Sequence, residues 1–274
     1  MLRARLATAA VAIPLLLAII FIAPTWWWGV LVVVIASLAI VEYLRLAFGD
    51  RLGPRVVGGA LGLAVVLAAV SAPVPGLWLT ASLAAILPVA MTYVVLLRKD
   101  LAEGLTDVGA IAVGILYGGL LLPHFYWLRH LPEGSAWVTF VIAIAMAGDS
   151  GGYFVGHAYG RHKLVPHLSP GKTVEGALGI VASSLLCAAI AKLILFPQHT
   201  WTEILVLGAL MSIIGQIGDL SESVMKRAFG AKESGALFPG HGGVLDRIDS
   251  LLFPLVLVYY YLVVSGAPDA ARAC

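Results

Sequence analysis

Residues 26–41 read WWWGVLVVVIASLAIV, a run of sixteen positions without one charge, and this run decides the fold. It is continuous rather than alternating, so it reads as a helix in an apolar medium and not as a half-buried strand. The tryptophans at its head have amphipathic rings of the kind that gather at a membrane–water boundary. Moving outward in both directions, similar runs recur near residues 7–23, 56–72, 76–97, 107–122, 136–156, 175–196, 201–218 and 251–265. Several fall short of the ~20 residues that a perpendicular crossing needs. Composition agrees. Of 274 residues, 61% are hydrophobic and 12% charged, and mean hydropathy is +0.98. A soluble domain is about half apolar and about a quarter charged. The excess excludes a soluble enzyme, a disordered chain and a disulfide-stapled secreted domain. The expectation is an all-α, polytopic helical membrane protein of about nine transmembrane helices.

Charge placement sets the orientation. With nine spans, one side receives the N-terminus and the loops after spans 2, 4, 6 and 8. That side holds fourteen of the 17 basic residues, among them Arg3, Arg5, Arg98, Lys172, Lys226 and Arg247. The other side holds Arg129 and Arg272, with Lys192 near the outer end of span 7. The positive-inside rule then makes the first side, with the N-terminus, cytoplasmic. Residues 1–23 could be read as a signal peptide, but the run ends at Pro24 and Trp26 to Trp28 rather than at small residues. A retained first helix is expected. Cys187 and Cys274 are expected to be free thiols. We divide the chain into N-terminal helices at 1–135 (spans 1–5) and a catalytic region at 136–274, whose cytoplasmic loops are 157–174 and 219–250.

Polar residues concentrate after spans 6 and 8. Gly148, Gly152, Gly156 and Gly160 recur every fourth residue and suit a helix-packing seam. Asp149, beside them, is a carboxylate at membrane depth, where the default reading is functional. Gly171-Lys172-Thr173 imitates the end of a phosphate-binding P-loop, but the glycine required five residues earlier is Pro166, so no P-loop is present. Ser169, Lys172 and Thr173 remain at the start of span 7, where helix N–H groups suit a phosphate. An ordinary basic loop on anionic headgroups is the alternative. After span 8, Asp219, Glu222, Ser223 and Lys226 fall at i, i+3, i+4 and i+7, on one helical face. Gly240-His241-Gly242-Gly243 supplies a backbone free to lie against a ligand. Asp246 and Asp249 then flank Arg247. Hard oxygen donors without a Cys or His cluster point to Mg²⁺ rather than zinc.

These residues are recognisable as a set. Ser223-Val224-Met225-Lys226-Arg227, Lys232-Glu233-Ser234-Gly235 and the run from Leu237 to Asp249 (LFPGHGGVLDRID) closely resemble the signature of phosphatidate cytidylyltransferases, the CDP-diacylglycerol synthases. Asp149-x-x-x-Tyr153-x-x-Gly156 and Ser169-Pro170-Gly171-Lys172-Thr173-x-Glu175-Gly176 resemble the same family. The resemblance covers the chain from span 6 onward and departs at Glu233, where the family usually has Asp. It implies Mg²⁺-dependent transfer of CMP from CTP to phosphatidic acid, giving CDP-diacylglycerol and pyrophosphate, the first committed step of CDP-diacylglycerol-dependent phospholipid synthesis. It implies metal ligands at Asp219, Asp246 and Asp249, with Asp149 and Glu222 beside them. Lys172, Lys226, Arg227, His241 and Arg247 would hold phosphates, while Ser169, Thr173 and Ser223 donate hydrogen bonds and Gly242 and Gly243 line the substrate. A monovalent cation such as K⁺ is admitted as a second ion, and a homodimer as an assembly. The bilayer is a partner and nucleic acid is not. The expected location is the inner (plasma) membrane, with the site facing the cytoplasm. A polyprenol kinase or a cytidylyltransferase for another lipid is the neighbouring alternative. A transporter would want these charges at mid-membrane rather than at one surface.

Overall fold

Hydrocarbon offers the backbone no hydrogen-bond partner, so each apolar run closes on itself as a helix. The computed structural model describes residues 14, 16–72, 74–235 and 242–265. Among these, eight helical stretches are long and apolar enough to cross a membrane. They are α1 (Thr25–Phe48), α2 (Leu52–Val70), α3 (Leu77–Leu97), a composite crossing, α6 (Gly134–Tyr159), α7 (Val174–Ile194), α8 (Trp201–Ala228) and α9 (Leu245–Val264). The composite crossing is α4 (Leu101–Gly114), a π-helical turn over Ile115–Leu120, and α5 (His124–His130). The run expected at 7–23 lies mostly outside the described residues; residues 16–21 are helical. Cys187 is a free thiol, and Cys274 lies outside the described residues.

Two boundaries differ from the sequence expectation in ways that matter for the site. Span 8 does not stop at 218: α8 runs on to Ala228, and α9 begins at Leu245 rather than 251. The expected loop 219–250 therefore shrinks to the connection between Ala228 and Leu245. Charge alone does not end a helix, and here Glu222 and Lys226 pair at i, i+4 along it. The loop 157–174 likewise contains ordered backbone, a two-stranded antiparallel hairpin of β1 (Lys163–Val165) and β2 (Ser169–Thr173) that sets Lys163 opposite Thr173. This hairpin is a small exception to an otherwise all-helical fold.

Successive spans alternate in direction, so the turns after α1, α3, α6 and α8 share one end of the bundle. Side chains tie that end together. Arg51 reaches Asp107 Oδ1 at 2.7 Å and Arg98 reaches Glu103 at 2.7 Å. Asp107 is 2% exposed, and a carboxylate this buried stands only when paired. The described basic residues divide as the sequence reading requires, with Arg129 and Lys192 toward the opposite end.

At that opposite end, His199 lies 2.9 Å from Glu133 Oε2 and 3.1 Å from Glu203, which also accepts from Tyr261. Partial burial opposes a charged ring, but the two carboxylates outweigh it and hold the imidazole above its ordinary value. A raised pKa contributes stability that is complete below the unfolded value and is lost as pH rises through the folded one. The melting temperature should therefore fall as pH climbs above the ordinary imidazole value. In His199→Gln that part of the pH profile should be flat. An unchanged profile in the variant would show that other groups set it.

Candidate active site

The glycine stripe on α6 is a packing seam, as its spacing suggested. A Cβ on Gly152 would sit 2.6 Å from Ile180, and one on Gly179 of α7 would sit 2.6 Å from Val155 and 2.9 Å from the Gly151 carbonyl. Such distances exclude any side chain, so α6 and α7 meet backbone to backbone. Close approach brings Asp149 on α6 level with the start of α7. There Thr173 caps the helix, accepting from Gly176 N at 3.1 Å. Glu175 closes the base of the hairpin by accepting from the Arg161 and His162 amides and from the His162 ring at 2.6 Å. Lys172, one residue before the cap, is thereby aimed across toward α8.

It meets Asp219 there at 2.6 Å. The ion pair stands in the wall of a cavity of about 400 Å³ enclosed by α6, the hairpin, α7 and α8. Asp149, Lys172 and Asp219 supply its charge, and Leu164, Ile180 and Leu220 supply apolar wall. A smaller void that shares Asp149, Ile180, Gln216 and Asp219 continues inward between α6, α7, α8 and α9. A charged mouth over apolar walls suits a ligand with a phosphate at one end and hydrocarbon at the other.

The second cluster joins α8 to α9. Lys226 is ion-paired with Glu222, one turn earlier, and with Asp246 Oδ1 at 2.5 Å. The other oxygen of Asp246 accepts from Ser234 N at 2.9 Å, Ser234 Oγ at 2.8 Å and Gly243 N at 2.9 Å. Asp246 is thus the anchor of the connection between α8 and α9, with both oxygens engaged by the chain itself. Gly242 has φ +76, and a Cβ there would lie 2.4 Å from that carboxylate. The two glycines expected to lie against substrate pack on Asp246 and Glu42.

The remaining expected residues sort by position. Asp249 lies on α9 within electrostatic reach of Asp219, Glu222 and Asp149. Arg247 lies within electrostatic reach of Asp149 and, as a cation, favours its charged form. Arg227 is turned toward the chain, its guanidinium donating to the carbonyls of Leu168 and Ala231. Ser169 opens β2, and Ser223 follows Glu222 on α8. Thr173 is committed to its cap, although it also lines the cavity. His241 lies outside the described residues. Glu233, the departure from the family pattern, is exposed.

Residues 3–265 match the model of the cytidylyltransferase family. The chain belongs to that family. It is 37% identical over 173 residues to the phosphatidate cytidylyltransferase of Bacillus subtilis strain 168, covering 63% of this chain and 64% of that protein. It is 40% identical over 163 residues to the phosphatidate cytidylyltransferase of Brucella suis, covering 59% and 60%. These alignments span a little under two thirds of each relative. With the phosphatidate cytidylyltransferase of Staphylococcus haemolyticus it is 32% identical over 239 residues, covering 84% of this chain and 87% of that protein.

In this cytidylyltransferase-family chain, two functional-looking residues come from the half where no motif stood. Glu42, on α1 and 8% exposed, accepts from Leu245 N at 3.0 Å and Ser234 Oγ at 3.3 Å. Its signal was a carboxylate closing an apolar run, which membrane energetics makes unusual. The second is Tyr117, in the π-helical turn of the composite crossing. Among the described residues, no three carboxylate, His or Cys side chains converge closely enough to chelate an ion directly. The donors nevertheless fit a hard cation. Glu222 is 1% exposed, and although Oε2 is ion-paired with Lys226, its Oε1 has no partner among the described residues. Four carboxylates gathered in a low dielectric also need more positive charge than Lys172, Lys226 and Arg247 bring. Magnesium keeps several of its waters when bound, so carboxylates spaced beyond chelating distance can hold it through that shell.

Proposed function

We propose that this protein is a CTP:phosphatidate cytidylyltransferase of the inner membrane, Mg²⁺-dependent, with its site on the cytoplasmic side. The observation that carries this is the Lys172–Asp219 pair set in a half-apolar cavity at the basic end of the bundle, in a chain of the cytidylyltransferase family. The positive-inside rule makes that end cytoplasmic, where CTP is found.

The chemistry asks little of acid–base groups. The phosphate of phosphatidic acid is already ionised near neutral pH, so its oxygen can attack the α-phosphorus of CTP without a protein base. A new P–O bond forms at the α-phosphorus, the α–β bridging bond breaks, and pyrophosphate leaves with that electron pair. The difficulty is bringing anions together, which positioning and fixed positive charge relieve. Lys172, in the cavity wall, and Arg247, within electrostatic reach of Asp149, would hold phosphate oxygens. Lys172 exchanges Asp219 for phosphate when that carboxylate is engaged elsewhere. Asp219, Glu222, Asp249 and Asp149 would hold the magnesium ion, which supplies charge stabilisation to the phosphates when bound.

The test is incorporation of radiolabelled CTP by the purified protein. Label should enter the lipid fraction only with phosphatidate and Mg²⁺ present. Asp219→Asn should lower turnover by about a hundredfold or more without affecting membrane insertion, since it removes charge and keeps volume. Label transfer from ATP to a polyprenol in place of this reaction would overturn the proposal.

A further inference from the structure

Tyr117 sits in the π-helical turn Ile115–Leu120 of the composite crossing. The local sequence explains that turn. Gly114, Gly118 and Gly119 favour a regular α-helix weakly, and they lie against α1 and α2, where a Cβ on Gly114 would fall 2.3 Å from the Tyr43 ring. The extra residue per turn re-aims Tyr117 away from α1 and onto α9, and such bulges recur at functional sites. Its ring meets Phe253 edge-on, with centroids 6.2 Å apart. Phe253 stands one turn after Asp249, and both pack on Gly218, the neighbour of Asp219.

The hydroxyl is the informative atom. Tyr117 is 7% exposed, and its Oη has no hydrogen-bond partner among the described residues. A buried phenol ordinarily finds a partner. This one lies within electrostatic reach of Asp249, Glu222 and Asp219, and Glu222, ion-paired with Lys226 through Oε2, keeps a buried Oε1 without a partner among the described residues. A donor and its natural acceptors therefore share one buried place without bonding to each other. They have the arrangement expected of groups that meet through something bound between them.

We propose that Tyr117 is a positioning residue of the cation site, its phenolic hydroxyl completing the hydration shell that joins a divalent cation to Asp219, Glu222 and Asp249. This rests on the cation reading given under the proposed function. The hydroxyl can accept from a cation-bound water while donating to a carboxylate, a link that a cluster of carboxylates, which only accept, cannot supply. The first half of the chain then contributes to the site directly.

The experiment uses the full-length protein in detergent without nucleotide or lipid substrate, and Mn²⁺ as the probe, followed by its paramagnetic resonance signal. Unfolding temperature is measured with and without Mg²⁺. Tyr117→Phe keeps the ring on Phe253 and removes only the hydroxyl. It should weaken Mn²⁺ binding about tenfold, the usual effect of losing an outer-shell partner, and shrink the Mg²⁺-induced rise in melting temperature. The ion-free variant should melt at the wild-type temperature or higher, because an unpartnered buried donor has been removed. Equal Mn²⁺ affinity in variant and wild type would overturn the role of Tyr117 and leave the cation reading standing. A lower ion-free melting temperature would also overturn it, by showing the hydroxyl to be structural. No Mn²⁺ binding by the wild type would remove both readings.

Discussion

Lys226→Met should abolish measurable turnover and cost about 3–5 kcal/mol of stability, the range for breaking a buried ion pair by removing one partner. Methionine replaces the aliphatic stem but not the ammonium. Lys226 stands between Glu222 and Asp246, which are 1% and 11% exposed at the side chain, so little solvent screens what is left. Two carboxylates would then face each other across the α8–α9 junction. The oxygen of Asp246 that Lys226 holds would be released, and with it the geometry that Asp246 gives to Ser234 and Gly243. Adding Glu222→Gln to the variant separates the two effects. Removing one stranded charge should return part of the stability, while activity should stay absent because neither original group is restored. Thermal unfolding and CTP incorporation on both variants check this. A Lys226→Met protein with wild-type stability would show that water reaches the pair freely.

The helices were legible because hydrocarbon allows few alternatives: an uncharged run such as 26–41 has to be a helix. Their ends were not. Hydropathy stops where charges begin, yet α8 continues ten residues past 218 because Glu222 and Lys226 are good helix formers that pair along it. The same periodicity that grouped Asp219, Glu222 and Lys226 on one face did place them together. It could not say which of them would face a ligand and which would face each other. Asp246 read as a metal ligand from its neighbours in sequence, and nothing in that reading foretold the four in-chain hydrogen bonds by which it anchors the connection. Gly242 and Gly243 read as ligand-hugging backbone for a related reason, since close approach to any carboxylate selects glycine as strongly as approach to a phosphate does. Tyr117 was illegible as a lone polar residue in a long apolar stretch, and Glu42, a carboxylate closing an apolar run, gave no sign of what it binds. The partner of Glu42 at Ser234 is 192 positions away, and no local spacing encodes that.

Glu42→Ala should therefore damage a site that the mutated residue does not line. Glu42 receives the amide of Leu245, the first residue of α9, so its charge also rests at a helix N-terminus, where negative charge is favoured. Gly243 and Gly235 pack directly on its carboxylate. Alanine leaves a buried N–H without an acceptor, at about 1–3 kcal/mol, and opens a space beneath the connection between Ala228 and Leu245. Ser234 keeps its bonds to Asp246, so the connection should loosen on the α1 side rather than detach. The expected signature is faster hydrogen exchange at the Leu245 amide and earlier proteolytic cleavage between Ala228 and Leu245, with the rest of the bundle protected as before. Turnover should fall by more than the stability loss alone explains, since Asp246 and Lys226 are held in place through the same segment. Glu42→Gln tests whether shape or charge matters. Leu245 N and Ser234 Oγ both donate to Oε2, so a glutamine with its amide oxygen there keeps both bonds and loses only the charge; exchange at Leu245 should be largely restored and activity only in part. Full activity in Glu42→Ala with a protected Leu245 amide would mean that Asp246 alone holds the connection, and that the first half of the chain reaches this junction without supporting it.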